Sequence, residues 1–332
     1  MSRGLGEIFQ LQEALPEWLA ILLAVLTQLG DAWFLVLLLA TLYWTQSRLQ
    51  DDILLVMGMY VAGLGLYRYL KYLFELPRPD QPLLDPELVP WLIRPLYEAT
   101  AFASGYGFPS GHATASTVVY FGLATVLTVA TRRLRYVVAS LLVAIVGFTR
   151  VALGVHFLVD IVAGVALGGL LVFVTFRGIR FVSHDRVTVV LGVAILTATL
   201  YVLESNATLE AILVTGVALG LFGGWQLVIL ARTLVVTDRP SSTVRPIVLR
   251  GGLAAASFVP LVAALELFPV LGDDPFPLGA LAGFGAAVAV VIPVARFSPR
   301  VGAVLAGGTF WLRAIGRACR RFTRAVRSWL RT

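Results

Sequence analysis

Apolar residues in this chain run in long unbroken blocks, without the three-to-four-residue stripes of a surface helix. Blocks at about 53–74, 111–131, 134–153, 156–176, 187–203, 209–231, 249–268 and 277–296 are bounded by Gly, Pro and charged residues. Several reach the roughly 20 residues a helix needs to cross a hydrocarbon core. An earlier stretch, Trp18 to Trp44, is interrupted by Gly30-Asp31. It reads either as one long tilted helix or as a short re-entrant piece followed by a span. The pattern predicts an all-α, polytopic transmembrane helical bundle.

Composition sharpens this reading. The 332 residues are 58% hydrophobic and only 14% charged, with a mean hydropathy of +0.87. That is too little charge to cover a soluble surface, so lipid is the expected solvent. The net charge is +7, and its placement orients the chain. Arg132, Arg133 and Arg135 share one short loop, and Arg177, Arg180 and Arg186 another. Arg232, Arg239, Arg245 and Arg250 share a third, and more arginines follow from Arg313. Even numbers of spans separate these segments, so all can face the cytoplasm. The opposite loops, 204–207 and 272–275, carry acids and no arginine. The 75–110 loop and the 150–156 turn are then expected on the outer face of the plasma membrane. The bilayer, not nucleic acid, is the partner this charge distribution suits. The tail from Arg313 to Arg331 reads as an amphipathic helix on anionic headgroups or as a plain positive-inside signal, and the two are compatible. It holds the one cysteine, Cys319, which permits no intramolecular disulfide. Met1 to Pro16 lacks the pattern of a cleavable signal.

Three polar clusters interrupt the apolar pattern near the expected outer face. The first runs from Lys71, the one lysine among 26 basic residues, to Arg78-Pro79. The second is Pro109-Ser110-Gly111-His112, and the third is Thr149-Arg150 followed by His156 and Asp160. In order and spacing they resemble the type 2 phosphatidic acid phosphatase superfamily, whose signature is K-x6-R-P, then P-S-G-H, then S-R-x5-H-x3-D. Thr149 stands where that family usually has serine.

The residues fit phosphate chemistry in their own right. A phosphoryl group in transfer carries charge on three oxygens and needs fixed cations and N–H donors around it. Lys71 closes one helix, Pro77 and Pro79 hold Arg78 extended, and Arg150 ends another helix before the turn at Gly154. Ser110 and Gly111 open the next span, where free N–H groups can meet an anion. His156 and Asp160, four residues apart at a helix start, share a face.

The resemblance implies His156 as a nucleophile forming a phosphohistidine, with Asp160 orienting it. It implies His112 as the group that protonates the leaving alkoxide and then activates water. Lys71, Arg78, Ser110, Gly111 and Arg150 are the implied phosphate-binding set. No cofactor and no metal site is expected: Asp80, Asp85 and Glu87 show no recognisable ligand spacing. The implied activity is a metal-independent lipid phosphatase at the extracytoplasmic face, acting on a lipid phosphate or isoprenoid diphosphate. Two rivals remain, a phosphotransferase of the same superfamily with an alcohol acceptor, and a lipid transporter or flippase that only binds headgroups.

Residues 1–180 form the expected catalytic core, 187–296 about four additional C-terminal transmembrane helices without a readable motif, and 299–332 a basic cytoplasmic tail. Weaker expectations attach to single residues. Asp31 is an intramembrane acid that could be functional or could cap a helix break. His184 reads as a solvated loop residue, and Trp44, Trp91 and Tyr97 as interfacial aromatics. Gly164, Gly168, Gly169, Gly216, Gly220 and Gly224 suit close helix packing. Trp91, Leu92 and Phe102 could cover a headgroup. The extra methyl of Thr149 could shift the hydroxyl that would contact a phosphate oxygen, and activity is expected to survive it.

Overall fold

Long apolar runs in a low-dielectric solvent must satisfy their own backbone hydrogen bonds, and helices do so within one segment. The computed structural model bears this out, and it describes residues 10–16, 18–79, 82–178, 181, 185–236, 244–268 and 274–307. Asp80, Arg180, His184, Arg239, Cys319 and the Arg313–Arg331 tail lie outside the described residues, so the expectations placed on them are not taken further. Seven described helices are long and apolar enough to cross a membrane, or up to eight spans if a bent pair is counted as one. The chain divides into two compact units, residues 1–42 with 52–184 and residues 43–51 with 185–332.

In the first unit, α1 (Leu19–Leu26) runs into a 3-10 turn (Thr27–Gly30) and then α2 (Ala32–Thr45). The two helices are bent by 46° at Gly30-Asp31, which excludes the single straight helix and leaves a broken or re-entrant element. Helix α3 (Gln50–Phe74) is the most buried of the candidate spans. A short α4 (Arg94–Ala101) lies in the loop that follows, before α5 (Gly111–Val126), α6 (Arg132–Ala152) and α7 (Leu158–Gly178). Helix α7 meets α5 closely because Gly164 and Gly168 carry no side chain: a Cβ would approach Ser110 O to 2.6 Å and Thr114 O to 2.8 Å. Gly169 departs from its expected packing role, since a Cβ there would meet nothing within 4 Å.

Two further expectations are corrected in this unit. The span expected at 111–131 is shorter, because α5 ends at Val126. Arg135 reaches back to cap it, donating to the carbonyls of Ala124, Val129 and Ala130 at 2.9, 3.1 and 3.0 Å. That satisfies end-of-helix carbonyls and turns the chain early. Tyr97 is no interfacial aromatic but fully buried. Its hydroxyl accepts from Leu84 N and donates to Leu84 O, both at 2.8 Å, and so ties α4 to the preceding loop.

The second unit contains α8 (Arg186–Glu204), α9 (Leu209–Val236), α10 (Gly252–Leu267), α11 (Phe276–Phe297) and α12 (Pro299–Gly307). Helices α9 and α11 touch backbone to backbone. A Cβ on Gly216 or Gly220 would collide with Gly279 O or Gly283 O, and one on Gly224 would stand 2.9 Å from Ala287 O. Small residues let helices in lipid gain van der Waals contact where no hydrophobic drive exists. Two arginines expected to mark the cytoplasmic face are also paired structurally. Arg232 makes a forked pair with Asp51 at 2.9–3.0 Å and stacks on Trp225. Arg250 pairs with Asp185 and donates to Gln226 Oε1 at 2.8 Å. Burial pushes the Asp185 carboxyl up, but bonds from Thr188 and Trp225 and the Arg250 charge outweigh it and hold its pKa below the usual range.

Substituting Gly220→Val should lower stability by about 1–3 kcal/mol through overpacking against Gly283. Gly285→Ala, where a Cβ meets open space, should be neutral or slightly stabilising. Unfolding curves of the two variants in detergent check the contrast.

Candidate active site

The three clusters converge in the first unit. Lys71 lies in the last turn of α3 and is 5% exposed. Its Nζ donates to Tyr106 O at 2.6 Å, which holds the loop before Pro109 against the helix. The same loop is fixed a second time where Gly107 N donates to Leu76 O at 2.7 Å. Gly107 is closely packed: a Cβ would sit 3.1 Å from Pro77 O and 3.3 Å from both Arg78 Cγ and Asp160 Oδ2.

Arg78 spans the two halves of the site. Its Nε donates to Gly105 O at 3.1 Å, and one terminal nitrogen donates to Val155 O at 3.0 Å. That same nitrogen stands 3.1 Å from His156 Nε2. Burial, then the charge of Arg68, brings the Arg78 pKa down to about 10, so it remains a cation at neutral pH.

The contact settles the tautomer of His156. A guanidinium has only donors, so His156 Nε2 must accept and carries no proton. The proton is then on Nδ1, which faces Asp160 Oδ2 at 3.4 Å. Asp160 is held in turn by Phe157 N, which donates to the same oxygen at 3.0 Å. His156 and Asp160 are 1% and 0% exposed. The arrangement is a bare, buried imidazole nitrogen with a carboxylate behind it, the form a nitrogen nucleophile requires.

Ser110 is the N-cap of α5, with its Oγ accepting from Ala113 N at 3.4 Å. Its own N–H donates to Asp160 O at 3.0 Å and so joins the second cluster to the third. Gly111 faces Tyr67, whose ring would lie 2.7 Å from any Cβ. Arg150, near the end of α6, is 2% exposed and donates to Thr27 Oγ1 at 3.3 Å and Thr100 O at 3.4 Å. Gly154, at φ +71°, turns the chain so that Val155 N and His156 N can both donate to Arg150 O. Two donors in this cradle, Arg150 Nε and His112 Nε2, are buried without a hydrogen-bond partner in the protein. An Asp31 carboxylate oxygen stands 3.8 Å from His112 Nε2.

Thus Lys71, Arg78, Ser110, Gly111, His112, Arg150, His156 and Asp160 come together as their spacing suggests. The Thr149 hydroxyl is turned from the cradle, the shift its methyl made possible, and donates to Val146 O at 2.7 Å within its own helix. Trp91 and Leu92 are 80% and 72% exposed. Phe102 is exposed as well, and the loop residues that do reach the site are Gly105, Tyr106 and Gly107. Tyr67, Thr27 and Thr100 are contributors that the motifs do not mark. Only Asp31 carried a signal in the sequence, as an acid inside an apolar stretch.

Residues 52–184 match the PAP2 superfamily. That stretch contains every site residue of the three clusters, and it excludes both the bent α1–α2 pair and the second unit. A curated relative, phosphatidylglycerophosphatase B of Bacillus subtilis (strain 168), is 32% identical over 125 residues, which is 34% of this chain. The chain spans 62% of that relative's length. A crystal structure of a transmembrane PAP2-type phosphatidylglycerolphosphate phosphatase from Bacillus subtilis is 26% identical, with a TM-score of 0.45 over 55% of this chain and 87% of that one.

Since the Thr149 hydroxyl is spent inside the helix, Thr149→Val should cost about 1 kcal/mol of stability and leave orthophosphate binding within about twofold. Arg150→Ala should weaken orthophosphate binding about tenfold or more, as loss of a charged donor does. Titration calorimetry on detergent-purified protein separates the two.

Proposed function

We propose that the chain is an integral-membrane lipid phosphatase that works without a metal, through a phosphohistidine, at the extracytoplasmic face. The single observation that carries this reading is the His156 contact set. Its Nε2 is bare and faces a cation that would also hold a phosphate oxygen, and its Nδ1 proton is held by Asp160.

In the first step His156 Nε2 attacks phosphorus and a P–N bond forms as the P–O bond to the lipid breaks. The proton on Nδ1 stays on the Asp160 side and offsets the charge that develops on the ring. His112 gives a proton to the departing alkoxide. In the second step His112 takes a proton from water, the water oxygen bonds to phosphorus, and the P–N bond breaks to release phosphate. Lys71, Arg78 and Arg150 face the equatorial oxygens, so side-chain cations supply the charge that a metal supplies elsewhere. Among the described residues no group of three or more His, Cys, Asp or Glu side chains gathers to hold a metal.

The substrate class follows from the surroundings. The cradle sits where helix ends meet loops, while the helices around it are apolar enough for lipid. A phosphate headgroup can enter there while its tail stays in the hydrocarbon. The name of the Bacillus subtilis relative makes phosphatidylglycerophosphate the first lipid to try. Within the first unit Arg132, Arg133 and Arg135 lie at the start of α6, the end away from Arg150, which supports an extracytoplasmic site.

Purified protein should release phosphate from a lipid phosphate at the same rate with and without EDTA. His156→Ala should release none, and His112→Ala should be slower by about 10²–10⁴-fold. A parent that releases nothing from phosphatidylglycerophosphate, phosphatidate or a prenyl diphosphate, yet is folded, would sink the hydrolase reading. The same panel with an added alcohol acceptor would then test transfer.

A further inference from the structure

The bend between α1 and α2 lies outside the family-matched stretch, yet it is fastened to the catalytic cradle at successive points. Thr27 Oγ1 accepts from Arg150 at 3.3 Å. Leu29 O accepts from the Tyr120 hydroxyl at 2.6 Å. Gly30 is pressed against Val146 and His112, with a Cβ there falling 2.5 Å from Val146 Cγ1 and 3.3 Å from His112 Cδ2. Asp31 ends this run with an extended backbone, φ −79° and ψ 150°, and its N–H donates to Gln28 O. The break therefore presents the Asp31 carboxylate to His112 Nε2, at 3.8 Å.

An acid at that point has chemical work available. To protonate a leaving alkoxide His112 must be an imidazolium, a further cation in a cradle that already holds Arg78 and Arg150. Asp160 is committed to His156 and to Phe157 N through Oδ2. Asp31 is the carboxylate that stands beside His112. Its negative charge compensates the imidazolium and fixes the ring, while the proton itself moves from His112 to the alkoxide oxygen as the P–O bond breaks. A separation of 3.8 Å is longer than a hydrogen bond, and such contacts tighten when substrate fills the site.

We propose that Asp31 is the positioning residue of the acid–base histidine, so that the bend in the first membrane helix is part of the active site. This rests on the phosphatase reading above. Asp31 also precedes α2 and its carboxylate meets the Ala32 N–H as an N-cap; capping alone would act on substrates with good and poor leaving groups alike.

The test separates charge from shape through the leaving group. A lipid alkoxide leaves poorly and needs His112 as an acid, whereas a nitrophenolate leaves with little help from a proton. For Asp31→Asn, kcat/KM toward a dialkyl-chain lipid phosphate should fall about 10–100-fold. Toward p-nitrophenyl phosphate the fall should be less than about threefold, since kcat/KM reports only through the first irreversible step. Asp31→Glu, which keeps the charge, should restore most of the lipid-to-nitrophenyl ratio. Because it is a ratio, the readout does not depend on the fraction of protein folded, and Asp31→Ser gives the same comparison if the amide variant does not fold. Equal losses on both substrates would overturn the inference and leave a structural role for Asp31. So would a variant as active on lipid as the parent. A parent that releases no phosphate from either substrate would overturn the phosphatase reading and this inference together.

Discussion

The burial of basic side chains is the constraint on which the first unit depends. Lys71 and Arg150 are almost wholly removed from solvent and Arg78 is half-buried, while Asp160 is the one fully buried carboxylate in the cradle. Removing an ion from water costs several kcal/mol unless it is paired and hydrogen-bonded. Here the cations are met mainly by backbone carbonyls: Tyr106 O for Lys71, Gly105 O and Val155 O for Arg78, Thr100 O for Arg150. Carbonyls solvate a cation without neutralising it. The donors of Arg78 and Arg150 thus stay charged and unneutralised by those contacts, which suits an anion with several oxygens. The loops between helices follow from the same need. The chain is non-helical at 105–107, with Gly105 at φ +76°, and carbonyls outside helices are free to accept.

Much of the site was legible because each cluster is local. Proline on both sides of Arg78 and the N-cap serine before Gly111 fix geometry over a few residues; His156 and Asp160 also meet locally, though His156 lies in the turn before α7 and the two share no helix face. What lies between clusters is long-range. The approach of Arg78 to His156 joins positions 78 residues apart, and no spacing rule encodes it. Thr149 shows a second limit. A hydroxyl in a helix can always bond the carbonyl one turn back, and here it takes that local partner although the adjacent Arg150 points into the cradle. Tyr97 shows a third: an amphipathic ring in a membrane protein is ordinarily interfacial, but a loop that must fold over buried cations needs its own small core. Tyr97 packs there with Leu84, Val89 and Ala152.

The second unit was legible in composition and opaque in purpose for one reason. Its glycines and alanines are spent on helix contact, with α9 and α11 meeting at backbone distance, and side chains that small carry no chemistry. Several of its described polar residues pair with one another. Asp185 caps α8 and collects Thr188, Trp225 and Arg250, while Arg232 and Asp51 form their own forked pair. Arginines that set orientation in the membrane can also be structural once a carboxylate reaches them. Hydropathy sees only the first of these roles.

Small residues solve one problem in two ways. In the second unit the absence of side chains brings two helices together for packing alone. In the first, Gly164 lets α7 approach the Ser110 carbonyl, and this contact places the start of α5 beside the start of α7. The Ser110 N–H can then reach Asp160 O, so the turn at Ser110-Gly111 and the residue behind His156 are held by one hydrogen bond. A larger residue at 164 would push these helix ends apart and separate Ser110 from Asp160 without touching either side chain. The glycine is therefore as much a condition of the site as the histidine it serves.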